Sequence, residues 1–173
     1  MTQSGGDLGV TLVSGREIKR VADRLREIDK KAPNRLRKEL RAVARDGAKD
    51  VKGRARKLPA KGARGGTTKH PHKRRQLRRQ VAKGVKVQAS TGGRRGAGLR
   101  IVTTMPTKEE ALLPRGLDSQ WRHPVFGDKE KWVEQDGSSW FREPLAGQRP
   151  EIDRRIRGVI EGFVQEIASA GGG

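Results

Sequence analysis

The sequence predicts an α+β protein: an antiparallel sheet packed by a long, kinked N-terminal helical region and a C-terminal amphipathic helix, with an extended basic loop. Apolar residues recur at spacings of three and four through residues 15–57 and again through 150–169, the period of a helix with one buried face. Between those regions they alternate in short runs separated by Gly-rich turns, the period of a half-buried strand. All three tryptophans and two of the three phenylalanines fall in one stretch, WRHPVFGDKEKWVEQDGSSWFREPL, from Trp121 to Leu145. Aromatic side chains bury the most apolar area per residue, so the middle of any compact core or subunit contact is expected there.

Taken in order, Leu8, Val10 and Leu12 alternate with Gly9, Thr11 and Val13 and read as a strand over 7–13. Ser14-Gly15-Arg16-Glu17 has the form of a capping box, so a helix is expected to follow. Ile18, Val21, Ala22, Leu25 and Ile28 give it an apolar stripe, and Pro33 interrupts the pattern because it lacks an amide proton. Leu36, Leu40, Val43, Ala44, Ala48, Val51 and Ala55 resume the stripe as far as Leu58-Pro59, giving two helices or one kinked helix over 15–57. The dense Arg and Lys of its polar face read as a solvated face.

Residues 59–83 read as a mobile basic loop or arm, with a short basic helix at most around Leu77 and Val81. Val85, Val87 and Ala89 start a sheet region over 84–145, and Leu99 to Thr104 is the return strand of a hairpin whose long turn runs from Gly92 to Gly98. Pro106 to Ser119 has no clear period. Val125–Gly127 and Lys131–Gln135 read as short strands, the second with Lys131, Val133 and Gln135 on one face and Trp132 and Glu134 on the other. Trp121, Phe126, Trp132, Trp140 and Phe141 are the candidates either for a core alone or for a core plus a subunit interface. Pro150 suits a first helical turn, and Ile152, Ile156, Val159, Ile160, Phe163, Val164 and Ile167 share one face of the helix that follows. A length of 173 residues suits a single domain.

With 32% hydrophobic and 3% aromatic residues the chain can build only a modest core, which favours an assembly that supplies further apolar contacts. The formal charge is +20, and it is unevenly placed. No Asp or Glu occurs from Val51 to Lys108, a segment with eighteen basic residues, while the other 22 basic residues nearly balance the 20 acidic ones. Such a block faces solvent, a polyanion or an acidic protein surface. Lys73, Arg74, Arg75, Arg78, Arg79, Arg94 and Arg95 are the candidates for contact with phosphate or with an acidic partner. The absence of aromatic residues from this segment argues against a base-stacking groove.

The sequence holds no cysteine, hence no disulfide or thiolate chemistry. Neither a signal-peptide pattern nor a membrane-length apolar run is present, so no membrane role is expected. His70, His72 and His123 lack the convergent ligands a metal needs, and no nucleophile-elbow, zinc-protease or phosphate-loop pattern occurs. Glu109-Glu110 and Glu130/Glu134 read as surface charges rather than an acid/base pair. No cofactor and no enzymatic activity are expected.

The order of elements, together with RHPVFGDKEKWVEQ (Arg122 to Gln135), WFREPL (Trp140 to Leu145) and, more loosely, LRRQVAKGVKV (Leu77 to Val87), resembles the tail-completion or tail-to-head joining proteins of long-tailed bacteriophages, especially the actinobacterial type. The resemblance runs from Ser14 to Ala168. It implies a structural virion protein, made in the host cytoplasm, that forms a ring of six copies in the neck between the head connector and the tail. Trp121 to Leu145 would then supply sheet core and ring contacts. The basic loop would project towards the DNA channel or a neighbouring ring, whose partners would be other neck and tail proteins and packaged double-stranded DNA without sequence preference. A tail terminator or other neck ring protein is a close relative of that reading, and a small basic DNA-binding protein of nucleoid type is the rival from another class.

Overall fold

The structure, a computed structural model, describes residues 8–58, 73–92, 96–106, 110–125 and 128–170. The Leu8-Val10-Leu12 alternation becomes strand β1 (Leu8–Ser14), and helix α1 (Gly15–Ile28) starts directly after Ser14. A Cβ on Gly15 would lie 1.9 Å from the Ala97 carbonyl oxygen, so only glycine allows the strand to turn into the helix so close to the neighbouring backbone. Ile18, Val21, Ala22 and Leu25 are buried, but Ile28, expected on the same stripe, is half exposed because the helix ends there.

The interruption expected at Pro33 falls just before it. Asp29 makes the turn: its backbone oxygen accepts from the Ala32 amide at 3.0 Å and its carboxylate from the Lys31 amide at 2.8 Å. Pro33 then sits in the first turn of α2 (Ala32–Val43), where a missing amide leaves nothing unsatisfied. A second hitch at Ala44 separates α2 from α3 (Arg45–Lys57). The helical region is therefore three helices rather than two, while the stripe of Leu36, Leu40, Val43, Ala44, Ala48, Val51, Ala55 and Leu58 is buried throughout.

Three further boundaries differ from expectation. Residues 73–83 of the expected loop belong to a helix, α4 (Lys73–Gly84), which packs along α3 with Val81 and Ala82 buried; residues 59–72 lie outside the described residues. The sheet region 84–145 is not one sheet. Strands β2 (Val85–Thr91) and β3 (Ala97–Thr103) join β1 in an antiparallel sheet of order β1-β3-β2. A short helix α5 (Leu113–Asp118) then intervenes, and β4 (Trp121–Val125) pairs only with β5 (Asp128–Gln135). Finally, helix α6 (Arg142–Ala170) starts eight residues before Pro150 and carries that proline inside it. Ala146 and Pro150 are both exposed, so water can satisfy the carbonyl that the proline leaves unbonded.

Within the three-stranded sheet the register aligns Leu8, Thr103 and Val85 in one row and Val10, Ile101 and Val87 in the next. A bulge between Thr11 and Val13 follows, and Leu12 remains buried. That face packs against α1, α2, α3 and α6, while Thr11, Lys86, Gln88 and Arg100 on the other face are exposed. Leu145, Ile152, Ile156, Ile160 and Phe163 bury the inner side of α6, and Val164, expected with them, is 48% exposed. Polar contacts fix α6 in place: Arg35 meets Glu166 at 2.6 Å, Arg155 meets Asp46 at 3.1 Å, and Gln148 donates to Asp50 at 2.8 Å. The α+β class is as the sequence predicts. The bulk of the core is aliphatic, formed by α1–α3, α6 and the three-stranded sheet, rather than centred on the tryptophans.

Candidate assembly and polyanion surfaces

The aromatic stretch divides into two parts with opposite burial. Trp140 and Phe141 are buried, at 2% and 0% exposure, with ring centroids 5.2 Å apart in an edge-on arrangement. They form a latch between α5 and the start of α6. The Trp140 indole Nε1 donates to the Pro114 carbonyl at 3.3 Å, the Ser138 amide to Leu117 O at 3.0 Å, and the Ser139 amide to Asp118 O at 3.1 Å. Ser139 takes a φ of 41°, in the left-handed region, as the chain reverses into the helix. Gly137 lies so close to Ser119 that a Cβ would stand 2.4 Å from its carbonyl oxygen and 2.5 Å from its nitrogen. Both are backbone atoms that no rotamer change can move. Gly137→Ala is expected to cost about 1–3 kcal/mol, as overpacking does, and to be read as a lower denaturation midpoint with an unchanged m-value.

The other part is the β4–β5 hairpin. Trp121 pairs with Gln135, Arg122 with Glu134, His123 with Val133 and Pro124 with Trp132, with a bulge between Pro124 and Val125. Pro124 is tolerated because both strands of a two-stranded ribbon are edges. Trp132 is 51% and Val133 44% exposed, so the expected core role of Trp132 does not hold within one chain. Its ring is instead capped on one side by the Arg122 guanidinium, 5.5 Å from the ring centre. The structure thus brings Trp140 and Phe141 together and leaves Trp132 apart. The backbone places Trp121 at the start of β4, and Phe126 lies outside the described residues.

Of the expected anion contacts, the backbone places Lys73, Arg74 and Arg75 in the first turn of α4; Arg78 is half-buried and Arg79 exposed, and Arg94 and Arg95 lie outside the described residues. The outer side of α3, flanked by β2 and by α4, adds a set that the sequence reads as a solvated face. Arg45, Ala48, Lys49, Lys52, Arg56 and Val87 line a cleft of about 260 Å³, and Arg56, Arg79 and Lys83 line another of about 440 Å³. Arg56 lines both, and among the described residues no acidic side chain lines either. On α3 the four cations fall within about 60° of arc, at the 100° step of a helix. Asp46 and Asp50 point away from this stripe and are engaged by Arg155, Arg54 and Gln148.

Elsewhere several charges pair. Lys19 and Arg26 bracket Asp23, and their hydrogen bonds, that of Lys19 foremost, hold its carboxyl below the ordinary value of 3.8. Arg24 meets Glu27, and Arg154 meets Glu151. Among the described residues no group of three or more His, Cys, Asp or Glu side chains converges as a metal would require, and no helix is long and apolar enough to cross a membrane. His123 sits in β4, and His70 and His72 lie outside the described residues. Comparison with protein families, with curated proteins and with solved structures finds no match to this chain.

Proposed function

We propose that this chain is a non-enzymatic structural protein of the neck of a long-tailed phage, assembling as a ring of six copies that joins the tail to the head connector and surrounds the DNA channel. The observation that carries this reading is the β4–β5 hairpin. A lone two-stranded ribbon is marginally stable in water, yet this one presents Trp132 and Val133 to solvent. Among the few aromatic residues of a chain with 3% aromatic content, a tryptophan left half exposed on such a ribbon is suited to burial by a sibling copy. The hairpin is also the segment in which the resemblance to tail-completion proteins is densest. Repetition around a ring would multiply weak contacts through effective concentration, so each subunit contact can be small.

Trp132→Ala tests the reading. It is expected to change the monomer's stability by about 1 kcal/mol or less, as surface substitutions do, while lowering the oligomer population in native mass spectrometry and incorporation into particles. Unchanged assembly removes the hairpin's proposed role. A reconstruction of the particle that places the chain outside the neck removes the function itself, and one that places it at the tail's end ring turns the reading into a tail terminator.

A second reading is favoured by the two cationic clefts that meet at Arg56: a small basic DNA-binding protein of nucleoid type. It expects tight, salt-sensitive binding of DNA by the isolated monomer or dimer and no ring.

A further inference from the structure

We propose that the face formed by α3 and α4 is a binding site for the phosphate backbone of double-stranded DNA, engaged without regard to base sequence. Its biological setting rests on the neck reading, but the binding itself does not.

Arg45, Lys49, Lys52 and Arg56 follow one another at steps of four, three and four along α3, a rigid row about 16 Å long at 1.5 Å per residue. A strand of B-form DNA presents a phosphate about every 3.4 Å along its axis and winds as it rises, so a row of this length can reach several phosphates. Arg79 and Lys83, one turn apart on α4, supply a second wall across the cleft that Arg56 shares. The inner side of α3, with Ala48, Val51 and Ala55 buried, fixes the helix against the core, so the backbone positions that carry the cations are set before any ligand arrives.

Three features favour duplex phosphate over other anions. Among the described residues no aromatic side chain lines either cleft, so these linings offer no stacking platform of the kind single strands use. The surface is charged, with Ala48 and Val87 as its apolar lining among the described residues, whereas protein–protein interfaces deplete charge at their centre and protein–DNA interfaces are strongly cationic. The acids nearest in sequence, Asp46 and Asp50, are drawn off by partners on or facing α6, so the row keeps its full charge. Cations aimed at phosphates fix position and supply affinity, but they read no bases.

The test is a salt titration of binding to a labelled duplex of mixed sequence, using the whole chain. Removing three phosphate contacts by Lys49→Gln, Lys52→Gln and Arg56→Gln should make the slope of log K against log salt shallower by about three. The triple Arg16→Gln, Arg20→Gln and Arg157→Gln removes the same charge from exposed positions on α1 and α6, and should change the slope by less than about one. Equal effects of the two triples, or no binding at low salt, would overturn the site. Tighter binding of polyglutamate than of duplex would overturn it in favour of an acidic protein surface. On the unmodified protein, duplex should protect Lys49, Lys52 and Lys83 from acetylation more than the exposed Lys19 and Lys131; uniform labelling is the contrary result. A failed slope test with intact rings rejects this site alone, whereas a positive slope test with no ring or particle incorporation rejects the neck reading and leaves the site standing.

Discussion

Trp140→Ala should lower the unfolding free energy by about 3–5 kcal/mol, the range for truncating a fully buried large aromatic side chain. Against total stabilities of about 5–15 kcal/mol, that is a large share of what holds a domain together. For a chain of this size it corresponds to a fall in melting temperature of about 6–20 °C. Three losses combine: a 2%-exposed indole leaves a cavity, the edge-on contact with Phe141 disappears, and the Pro114 carbonyl loses its donor. Trp132 serves as the internal control, since the same substitution there removes a half-exposed ring from a hairpin outside the core. Chemical denaturation followed by far-ultraviolet circular dichroism, which does not depend on the altered fluorophore, should separate the two variants by several kcal/mol. Equal losses would mean that the division between latch and hairpin is wrong.

That two tryptophans eight residues apart differ so much marks the limit of what residue type conveys. Periodicity located the elements that bury one face continuously: Leu8, Val10 and Leu12 in β1, the Leu36 to Leu58 stripe, and Ile152 to Phe163 in α6. It allowed at most a short basic helix where α4 runs, because Leu77, Val81 and Ala82 are few apolar residues among its arginines and lysines, and the helix packs along α3. The cationic row on α3 was visible as spacing, but Asp46 and Asp50 interleave with it in the sequence. Only the packing of α6 shows that those acids face elsewhere, and only the packing of α4 brings Arg79 and Lys83 to Arg56. For the hairpin, the strands were legible from the turn residues that bound them, whereas the exposure of Trp132 was not, since an indole reads equally as core or as contact surface.

The start of α6 shows the same limit and leads to the second large effect. Local signals put the start at Pro150, yet the helix begins at Arg142 because its cap comes from Asp118, 24 residues earlier. One carboxylate oxygen of Asp118 accepts from the Phe141 amide at 2.7 Å and from the Arg142 amide at 3.3 Å, and the other lies 3.8 Å from the Arg142 guanidinium. The side chain is only 3% exposed, so these amides have little water to turn to. A helix leaves its first amides without intrahelical partners and carries partial positive charge at that end, and a buried carboxylate answers both needs. Asp118→Ala is therefore expected to cost about 2–3 kcal/mol, the range for charge-assisted hydrogen bonds whose loss leaves buried donors unsatisfied. Asp118→Asn keeps an acceptor oxygen of nearly the same shape and should recover part of that loss. Hydrogen exchange gives the spatial signature: in the alanine variant, protection should fall first at Phe141 to Leu145 and around α5, while β1–β3 keep theirs relative to global stability. A uniform loss of protection, or an asparagine variant as unstable as the alanine one, would show that the carboxylate does not hold α5 to the start of α6.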